Sequence, residues 1–186
     1  MPAPGQTRVC HKDTGKKEAG RMRGSGHTLQ GNDVAELADE AAVRETFAKL
    51  RPVTPEYATA PILEGFNWSD CVAELPSGSW YLVCFRSIHS ANADEEVLTE
   101  YDNRAFAAAK AAGGLLHYFQ GEPNARGACL SFCLWQTLAQ ARAASAMPEH
   151  VLAAHIVGQM YDQYVLERYM LTKPERSLEL HWHAVT

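Results

Sequence analysis

Two histidines next to apolar strand residues are the first candidates for acid–base chemistry. His117 lies within the apolar run Leu115–Gln120, where burial would tune the pKa of its imidazole toward neutral operation. His89 directly follows another apolar run and lies where a helix is predicted to begin. We therefore predict that His117 or His89 acts as a general acid or base. The alternative for His117 is a core histidine that is hydrogen-bonded to a neighbour.

Two arginines lie inside predicted hydrophobic strands, Arg86 and Arg168. A buried arginine needs a partner, because an unpaired charge in an apolar site is costly. Arg86 could form a structural salt bridge with Glu167 or Glu122. It could instead hold an anionic substrate group such as a carboxylate or an enolate, which makes it a candidate catalytic residue. Arg168 could likewise form a structural salt bridge or hold an anionic substrate group, and it is a candidate for substrate binding.

Aromatic side chains accumulate in the same strands and could line a pocket for a flat, mostly apolar molecule. Ordinary core packing explains the same spacing. Tyr118 would face away from His117, because neighbouring residues of a strand point to opposite faces. The predicted substrate-binding aromatic residues are Trp135, Tyr118, Tyr161 and Tyr164.

A pair of histidines near the end of the chain, His181 and His183, flanks Trp182 in a predicted strand. Both imidazoles would lie on one face together with Glu179, and such a set can bind zinc. A solvent-facing terminal strand explains the pattern as well, and we predict no metal site. The motifs G-x-G-x-x-G, Walker A and G-x-S-x-G are absent from the sequence, so no cofactor is predicted.

The elements that must position these residues are predicted in the order β-α-β-β-α-β, with an extra helix first and an extra strand last. Helices are predicted at residues 33–50, 93–112, 137–146 and 148–161. Strands are predicted at residues 79–88, 115–120, 128–135, 163–171 and 178–184. The buried face of the second helix is predicted from Val97, Tyr101, Phe106 and Ala109. This order is the ferredoxin-like α+β arrangement, in which one antiparallel sheet carries both helices on one face.

The opposite face of this sheet is predicted to be apolar too. Along residues 128–135, both alternating sets of side chains are apolar, so the sheet needs a second cover. The helix of residues 33–50 could provide that cover. A second copy of the sheet could also provide it, in a dimeric barrel. We favour the homodimer.

Charge and composition divide the chain into three segments. Residues 1–32, with six basic and two acidic side chains, are predicted to be a disordered basic tail. Residues 33–61 form the first helix and a Pro-rich connector, and residues 62–186 form the ferredoxin-like domain. The chain of 186 residues has a net charge of −5, so its body is acidic, which argues against a nucleic-acid partner.

The sequence also bears on location. No apolar run is long enough to span a bilayer, and no secretory signal is recognisable. The five cysteines contain no C-x-x-C pair. We therefore predict a cytoplasmic protein with reduced, buried thiols and no membrane partner.

Several motifs resemble known proteins. The order of elements, with the stretch Leu130–His150, resembles the dimeric α+β barrel superfamily, which includes antibiotic-biosynthesis monooxygenase-like domains. A set of motifs within residues 62–184 is similar to an uncharacterised family of small fungal proteins. These motifs are Trp80–Arg86 (WYLVCFR), Gly113–Gly121 (GGLLHYFQG), Glu122-Pro123-Asn124, Cys133-Leu134-Trp135 and Tyr164–Tyr169 (YVLERY). The barrel resemblance implies relatives that include cofactor-free oxygenases, cyclases, haem-degrading enzymes and ligand binders.

Two functions follow as hypotheses. The first is a small-molecule enzyme of the dimeric α+β-barrel type, which oxygenates, cyclises or isomerises an apolar, aromatic or polyketide-like substrate without a cofactor, in fungal secondary metabolism. His117 or His89 would move the proton and Arg86 or Arg168 would hold the anion. The second is a ligand-binding or interaction protein without turnover. A cavity that no titratable group reaches would favour this second function.

Overall fold

The computed structural model describes residues 31–186, with side chains from residue 39 onward. Within this part of the chain, runs rich in β-branched and aromatic residues form the strands. They are β1 (Gly78–His89), β2 (Leu115–Phe119), β3 (Ala128–Trp135), β4 (Tyr161–Lys173) and β5 (His181–Ala184). The helices are α1 (Gly31–Phe47), α2 (Ile62–Gly65), α3 (Trp68–Val72), α4 (Glu95–Ala112), α5 (Leu138–Ser145) and α6 (Pro148–Met160).

The five strands form one sheet in the order β2-β3-β1-β4-β5, and every neighbouring pair is antiparallel. β1 lies at the centre, where Cys84 faces Phe132 of β3 on one side and Glu167 of β4 on the other. The first four strands have the ferredoxin-like order, and β5 extends the sheet beside β4. The predicted α+β fold class is therefore confirmed.

The long helices begin where the sequence supplies a cap. The side chain of Asp94 accepts a hydrogen bond from the backbone N–H of Val97 at the start of α4. Thr137 makes the same kind of contact with Gln140 at the start of α5. α6 begins with Pro148, whose missing N–H costs nothing at this position. α4 ends at Gly113, where φ is +82°, a backbone conformation that glycine adopts easily.

One side of the sheet, called here the N-terminal face, packs against α1 and the connector that follows it. Phe47 of α1 is fully buried and contacts Trp80 edge to face, with ring centroids 5.5 Å apart. Phe66 of the connector contacts Phe132 of β3 in the same way at 5.0 Å. The connector predicted from its prolines contains the short helices α2 and α3 and joins the same hydrophobic core as the sheet.

This arrangement shows which segment covers the second apolar face of the sheet. The chain's own N-terminal segment buries the N-terminal face, on which Leu82, Leu130 and Leu134 are fully buried. A second sheet would have to displace α1 and the connector from that face. The helix alternative is therefore the one that this structure adopts.

The other side of the sheet, called here the cavity face, carries α4, α5 and α6. Its apolar core is smaller and contains Tyr81, Cys133 and Trp135 from the strands and Ala109 and Ala144 from the helices. No residue of α6 is fully buried. A space remains between the helices and this face of the sheet.

Some predicted boundaries and faces need correction. The last strand begins at His181 instead of residue 178. α4 buries Ala109 as predicted, but it buries Leu98 and Ala105 in place of the neighbouring Val97 and Phe106. The tail predicted for residues 1–32 lies outside the described residues, except for the last two, which belong to α1. Among the described residues, no helix is both long and apolar enough to cross a membrane.

Candidate functional site

The interior space is a cavity of about 400 Å³ between the cavity face and α4. β1, β2, β3 and β4 form its floor, α4 forms one wall, and residue 150 at the start of α6 adds to it. The loop between β2 and β3, residues 120–123, lies at one end. The volume is within the range of small-molecule sites, roughly 300–1,000 Å³.

His89 and Glu95 form a hydrogen-bonded pair in the cavity lining. His89 Nδ1 lies 2.8 Å from Glu95 Oε1, and the imidazole is 13% exposed whereas the carboxylate is 63% exposed. The ring of Tyr161 meets the His89 ring edge to face at 5.1 Å. Because an ionised carboxylate can only accept hydrogen bonds, His89 Nδ1 is the donor of this pair. In the neutral imidazole the lone pair is then on Nε2, which can act as a base.

A second polar pair lies deeper in the cavity. The hydroxyl of Tyr118 donates a hydrogen bond of 2.7 Å to Asp102 Oδ1. Burial raises the pKa of Asp102 above its ordinary value, and the hydrogen bond from Tyr118 opposes that rise. Burial and the adjacent Asp102 both raise the pKa of Tyr118, so its hydroxyl stays protonated.

His150 lies in the first turn of α6 and lines the same cavity. Burial lowers the pKa of His150, and the charges of Glu149 and Asp102 oppose that effect. Its Nδ1 atom is buried without a hydrogen-bond partner among the described residues. Buried polar atoms normally have a partner, so this unpartnered nitrogen is a cost to the folded state.

The four predicted substrate-binding aromatic residues all line the cavity, and they are Trp135, Tyr118, Tyr161 and Tyr164. The rings of Tyr161 and Tyr164 are 5.3 Å apart. Burial raises the pKa of Tyr161 to about 12 and raises that of Tyr164 further. These hydroxyls are therefore neutral hydrogen-bond donors at physiological pH.

The floor of the cavity includes two thiols of β3. Cys129 donates a hydrogen bond to the carbonyl of Gly121, and burial raises its pKa. Burial also raises the pKa of Cys133 to about 12, and Trp135 Nε1 donates to its sulfur at 2.9 Å. Nucleophilic cysteines need a lowered pKa, so these two thiols are structural.

His117 lies on the N-terminal face, away from the cavity. A shift of the β2–β3 register between Leu115 and His117 places His117 opposite Leu134. Its ring lies 5.9 Å from that of Phe132, in the core under α1. Burial lowers the pKa of His117, and its Nε2 atom has no partner among the described residues. The proposed acid–base role of His117 is therefore not available to a molecule in this cavity.

Arg86 also lies on the N-terminal face. Its Nε atom lies 2.6 Å from Glu167 Oε1, which is one of the two partners that the sequence suggested. Its terminal nitrogens donate to the carbonyls of Ala58 and Ala60, at 2.9 and 2.8 Å. Arg86 thus ties the connector to the sheet and is not placed to hold an anion in the cavity. Arg168 is exposed and does not line the cavity.

The two terminal histidines are exposed in β5, with Trp182 packed between Trp68 and Tyr169 on the other side of the strand. Among the described residues, no group of three or more His, Cys, Asp or Glu side chains is placed to hold a metal ion. The zinc hypothesis for His181, His183 and Glu179 thus lacks a ligand set in the described part of the chain.

The polar residues of the cavity that sequence reasoning missed include Glu95, Asp102 and His150. The signal for Asp102 was available, since it stands four residues after Leu98 and three before Ala105, on the buried stripe of α4. A carboxylate within an apolar stripe is a marker of a site. His150 and Glu95 had no comparable signal, because each lies in the first turn of a helix where polar residues are expected.

One known protein family matches most of this chain. The model of the PB2B2.08-like family matches residues 25–184. The chain belongs to the PB2B2.08-like family. No curated protein matches the chain.

Solved structures show more distant likenesses. Rv0793 from Mycobacterium tuberculosis is 14% identical, with a TM-score of 0.43 over 53% of this chain and 98% of that protein. SnoaB, a cofactor-independent oxygenase from Streptomyces nogalater, is 14% identical, with a TM-score of 0.40 over 54% and 98% of the two chains. A putative antibiotic biosynthesis monooxygenase from Nitrosomonas europaea is 8% identical, with a TM-score of 0.43 over 55% and 97%. At these values the likeness carries no argument about activity.

Proposed function

We propose that this chain is a small-molecule enzyme that removes a proton from an apolar, aromatic or polyketide-like substrate bound in the cavity. The His89–Glu95 pair carries the proposal, because it places an oriented base in a cavity of ligand size. A base must lie within hydrogen-bond reach of the proton it takes, and a cavity lining residue meets this condition for a bound molecule. Glu95 fixes the tautomer and the direction of the imidazole.

The remaining lining residues supply the other needs of such a reaction. Removal of a proton next to a carbonyl, or from a phenol, leaves negative charge on an oxygen. The neutral hydroxyls of Tyr161 and Tyr164 can donate hydrogen bonds to that oxygen. Trp135 and Phe85 provide apolar contacts for the body of the substrate. Isomerisation, cyclisation and oxygenation without a cofactor can each begin with this step.

The experiment is a substrate screen with matched variants. Purified protein is offered phenols, anthrones and 1,3-diketones, and turnover is followed by absorbance and by oxygen uptake. We expect His89→Gln to lower kcat by about 10²–10⁴-fold, because general-base catalysis contributes that much. Glu95→Gln should lower kcat less, since the base remains but loses its orienting carboxylate. Glu96→Gln is the control, because Glu96 is an exposed carboxylate of α4 outside the cavity lining.

The outcome separates the two hypotheses. Turnover that survives His89→Gln unchanged would remove His89 as the base. Specific binding of these compounds without any turnover would support the second candidate, a ligand-binding protein. Titratable side chains in the cavity lining support the enzyme over that alternative, among them His89, Asp102 and Tyr118.

The setting of the activity is also part of the proposal. We place the enzyme in the cytoplasm and in fungal secondary metabolism, as the resemblance to small fungal proteins suggests.

A homodimer remains a proposal, and it would have to avoid the N-terminal face. The outer edge of β4 offers a surface, since β5 pairs only with Tyr169–Thr172 and Leu166 is 37% exposed. Light scattering on the purified full chain tests this assembly.

A further inference from the structure

The cavity lining has more acidic than basic side chains. Three carboxylates line it, Glu95, Asp102 and Glu122. Among the described residues that line it, none is a lysine or an arginine. The two arginines predicted to bind an anion are placed elsewhere, since Arg86 pairs with Glu167 on the N-terminal face and Arg168 is exposed. A carboxylate or phosphate ligand would therefore enter this cavity without a cationic partner.

Asp102 is the carboxylate of this group that lies inside the cavity. Tyr118 donates to its Oδ1 atom, and no hydrogen bond from the described residues reaches its Oδ2 atom. Burial raises the pKa of Asp102, because a partly buried carboxylate loses solvation of its charge. A bound cation would offset that loss and keep the carboxylate ionised.

His150 belongs to the same cavity lining as Asp102. Its Nδ1 atom is covered by protein atoms, so it does not itself face the cavity. Asp102 Oδ2, which receives no hydrogen bond from the described residues, is the acceptor offered to a bound molecule. An ammonium group, with its three N–H donors, is complementary to a carboxylate oxygen.

Aromatic rings complete the surroundings of this position. Tyr118 stacks on Phe106, with ring centroids 5.3 Å apart, and both line the cavity. The faces of tyrosine and tryptophan rings attract cations, most strongly where water is excluded. The aromatic lining can thus contact both the apolar body of a ligand and a positive group attached to it.

We propose that the cavity binds an amine-bearing aromatic molecule in its protonated form, with the ammonium group against Asp102 and the apolar body against Trp135 and the tyrosines. This inference rests on the proposed function and names its substrate class. It also fits the chemistry at His89. When the base removes a proton, the positive group of the substrate partly offsets the new negative charge, which the carboxylates of the lining would otherwise disfavour.

The test uses three probes that share one ring system and differ in charge. They are 2-(1-naphthyl)ethylamine, 2-(1-naphthyl)ethanol and 1-naphthaleneacetate, and their Kd values are measured by isothermal titration calorimetry with the full chain at pH 7. We expect the amine to bind at least about tenfold more tightly than the alcohol, and the acetate to bind least. Asp102→Asn should weaken binding of the amine about tenfold and leave the alcohol nearly unchanged. Glu96→Gln is the matched control on the same helix and should change neither Kd.

Tyr118→Phe removes the hydrogen bond to Asp102 but keeps the carboxylate, so it should retain the preference for the amine. The wild-type comparison of the three probes stands even if Asp102→Asn fails to fold. Equal or tighter binding of the acetate would overturn the charge assignment, and so would an equal loss of amine and alcohol in Asp102→Asn. Both results leave the proposed base His89 in place. Failure of all three probes to bind at millimolar concentration would instead remove the cavity as a ligand site, and the proposed function with it.

Discussion

Two half-buried histidines, His117 and His150, show how position relative to the sheet separates a core residue from a residue of the cavity lining. Each has a ring nitrogen without a partner among the described residues, and burial lowers the pKa of both. His150 lines a cavity that a molecule can enter, whereas His117 packs on Phe132 under α1. The same chemical signal therefore does not by itself identify a site residue, and in the core it marks a cost to stability.

That cost gives a prediction at His117. The pKa of His117 is lowered in the folded state, so its contribution to the free energy of unfolding is complete above the unfolded pKa of about 6.5 and is lost as the pH falls through the folded pKa. His117→Leu removes the group that must be protonated. We expect urea denaturation to show a smaller loss of unfolding free energy between pH 7.5 and pH 5 in the variant than in the wild type.

The control for this experiment is His181→Leu, which replaces an exposed histidine of β5. It should leave the pH dependence of unfolding as in the wild type. The wild-type dependence should not vanish in His117→Leu, because His150 contributes with the same sign. Parallel pH curves for His117→Leu and the wild type would show that His117 does not resist protonation in the folded chain.

At the scale of elements, the sequence predicts the order and type of nearly every helix and strand, because apolar periodicity and punctuation by Gly and Pro are local signals. The stripe of α4 is the instructive exception. Val97 and Tyr101 gave a plausible face, but the observed stripe passes through Leu98 and Ala105 and carries Asp102 into the cavity. Differences of one residue in the buried stripe are small for the fold and decisive for the site, since they change which polar group is inside.

The register shift in β2 is also a small local change that decides which polar side chain faces the cavity. Regular alternation from Leu115 would put His117 on the cavity face, because residues two apart share a face. The irregularity between Leu115 and His117 moves it to the N-terminal face. Bulges of this kind depend on the pairing of two strands, so the sequence of one strand does not disclose them.

The ion pair of Arg86 allows a prediction about how the connector is held. Arg86 joins Glu167 of β4 to two carbonyls of the connector, and the two side chains are 19% and 27% exposed. Arg86→Leu leaves the carboxylate and both carbonyls without this partner. We expect it to lower the free energy of unfolding by about 2–4 kcal/mol, measured by urea denaturation.

Arg104 offers the matched comparison, since it pairs with Glu100 on the surface of α4 and both side chains are more than half exposed. Arg104→Leu should change the free energy of unfolding by at most about 0.5 kcal/mol. The double variant Arg86→Leu/Glu167→Leu should recover part of the loss, because no charge is left unpaired. Equal effects of Arg86→Leu and Arg104→Leu would mean that the bridge to the connector adds nothing to stability.

At the scale of the whole molecule, α1 determines which face of the sheet is covered and which is open to a ligand. A sheet that is apolar on both faces needs two covers, and the sequence alone left open whether the second is α1 or another copy of the chain. The choice depends on contacts between segments far apart in sequence, such as Phe47 with Trp80. Local periodicity carries no information about such contacts. With the N-terminal face closed by α1, the cavity on the opposite face becomes the interior space open to a ligand.

If α1 is an integral cover, its core contact must be part of the cooperative unit. Phe47 is fully buried, so Phe47→Ala should lower the free energy of unfolding by about 3–5 kcal/mol. Val53→Ala, at a position that is 58% exposed in the same segment, should change it by no more than about 0.5 kcal/mol. We expect a single urea transition in Phe47→Ala, with the fluorescence of the core tryptophans and the far-UV circular dichroism shifting together. An early separate transition, with the midpoint of the sheet unchanged, would instead show α1 to be an appended arm, and the N-terminal face would then be free for a second copy of the chain.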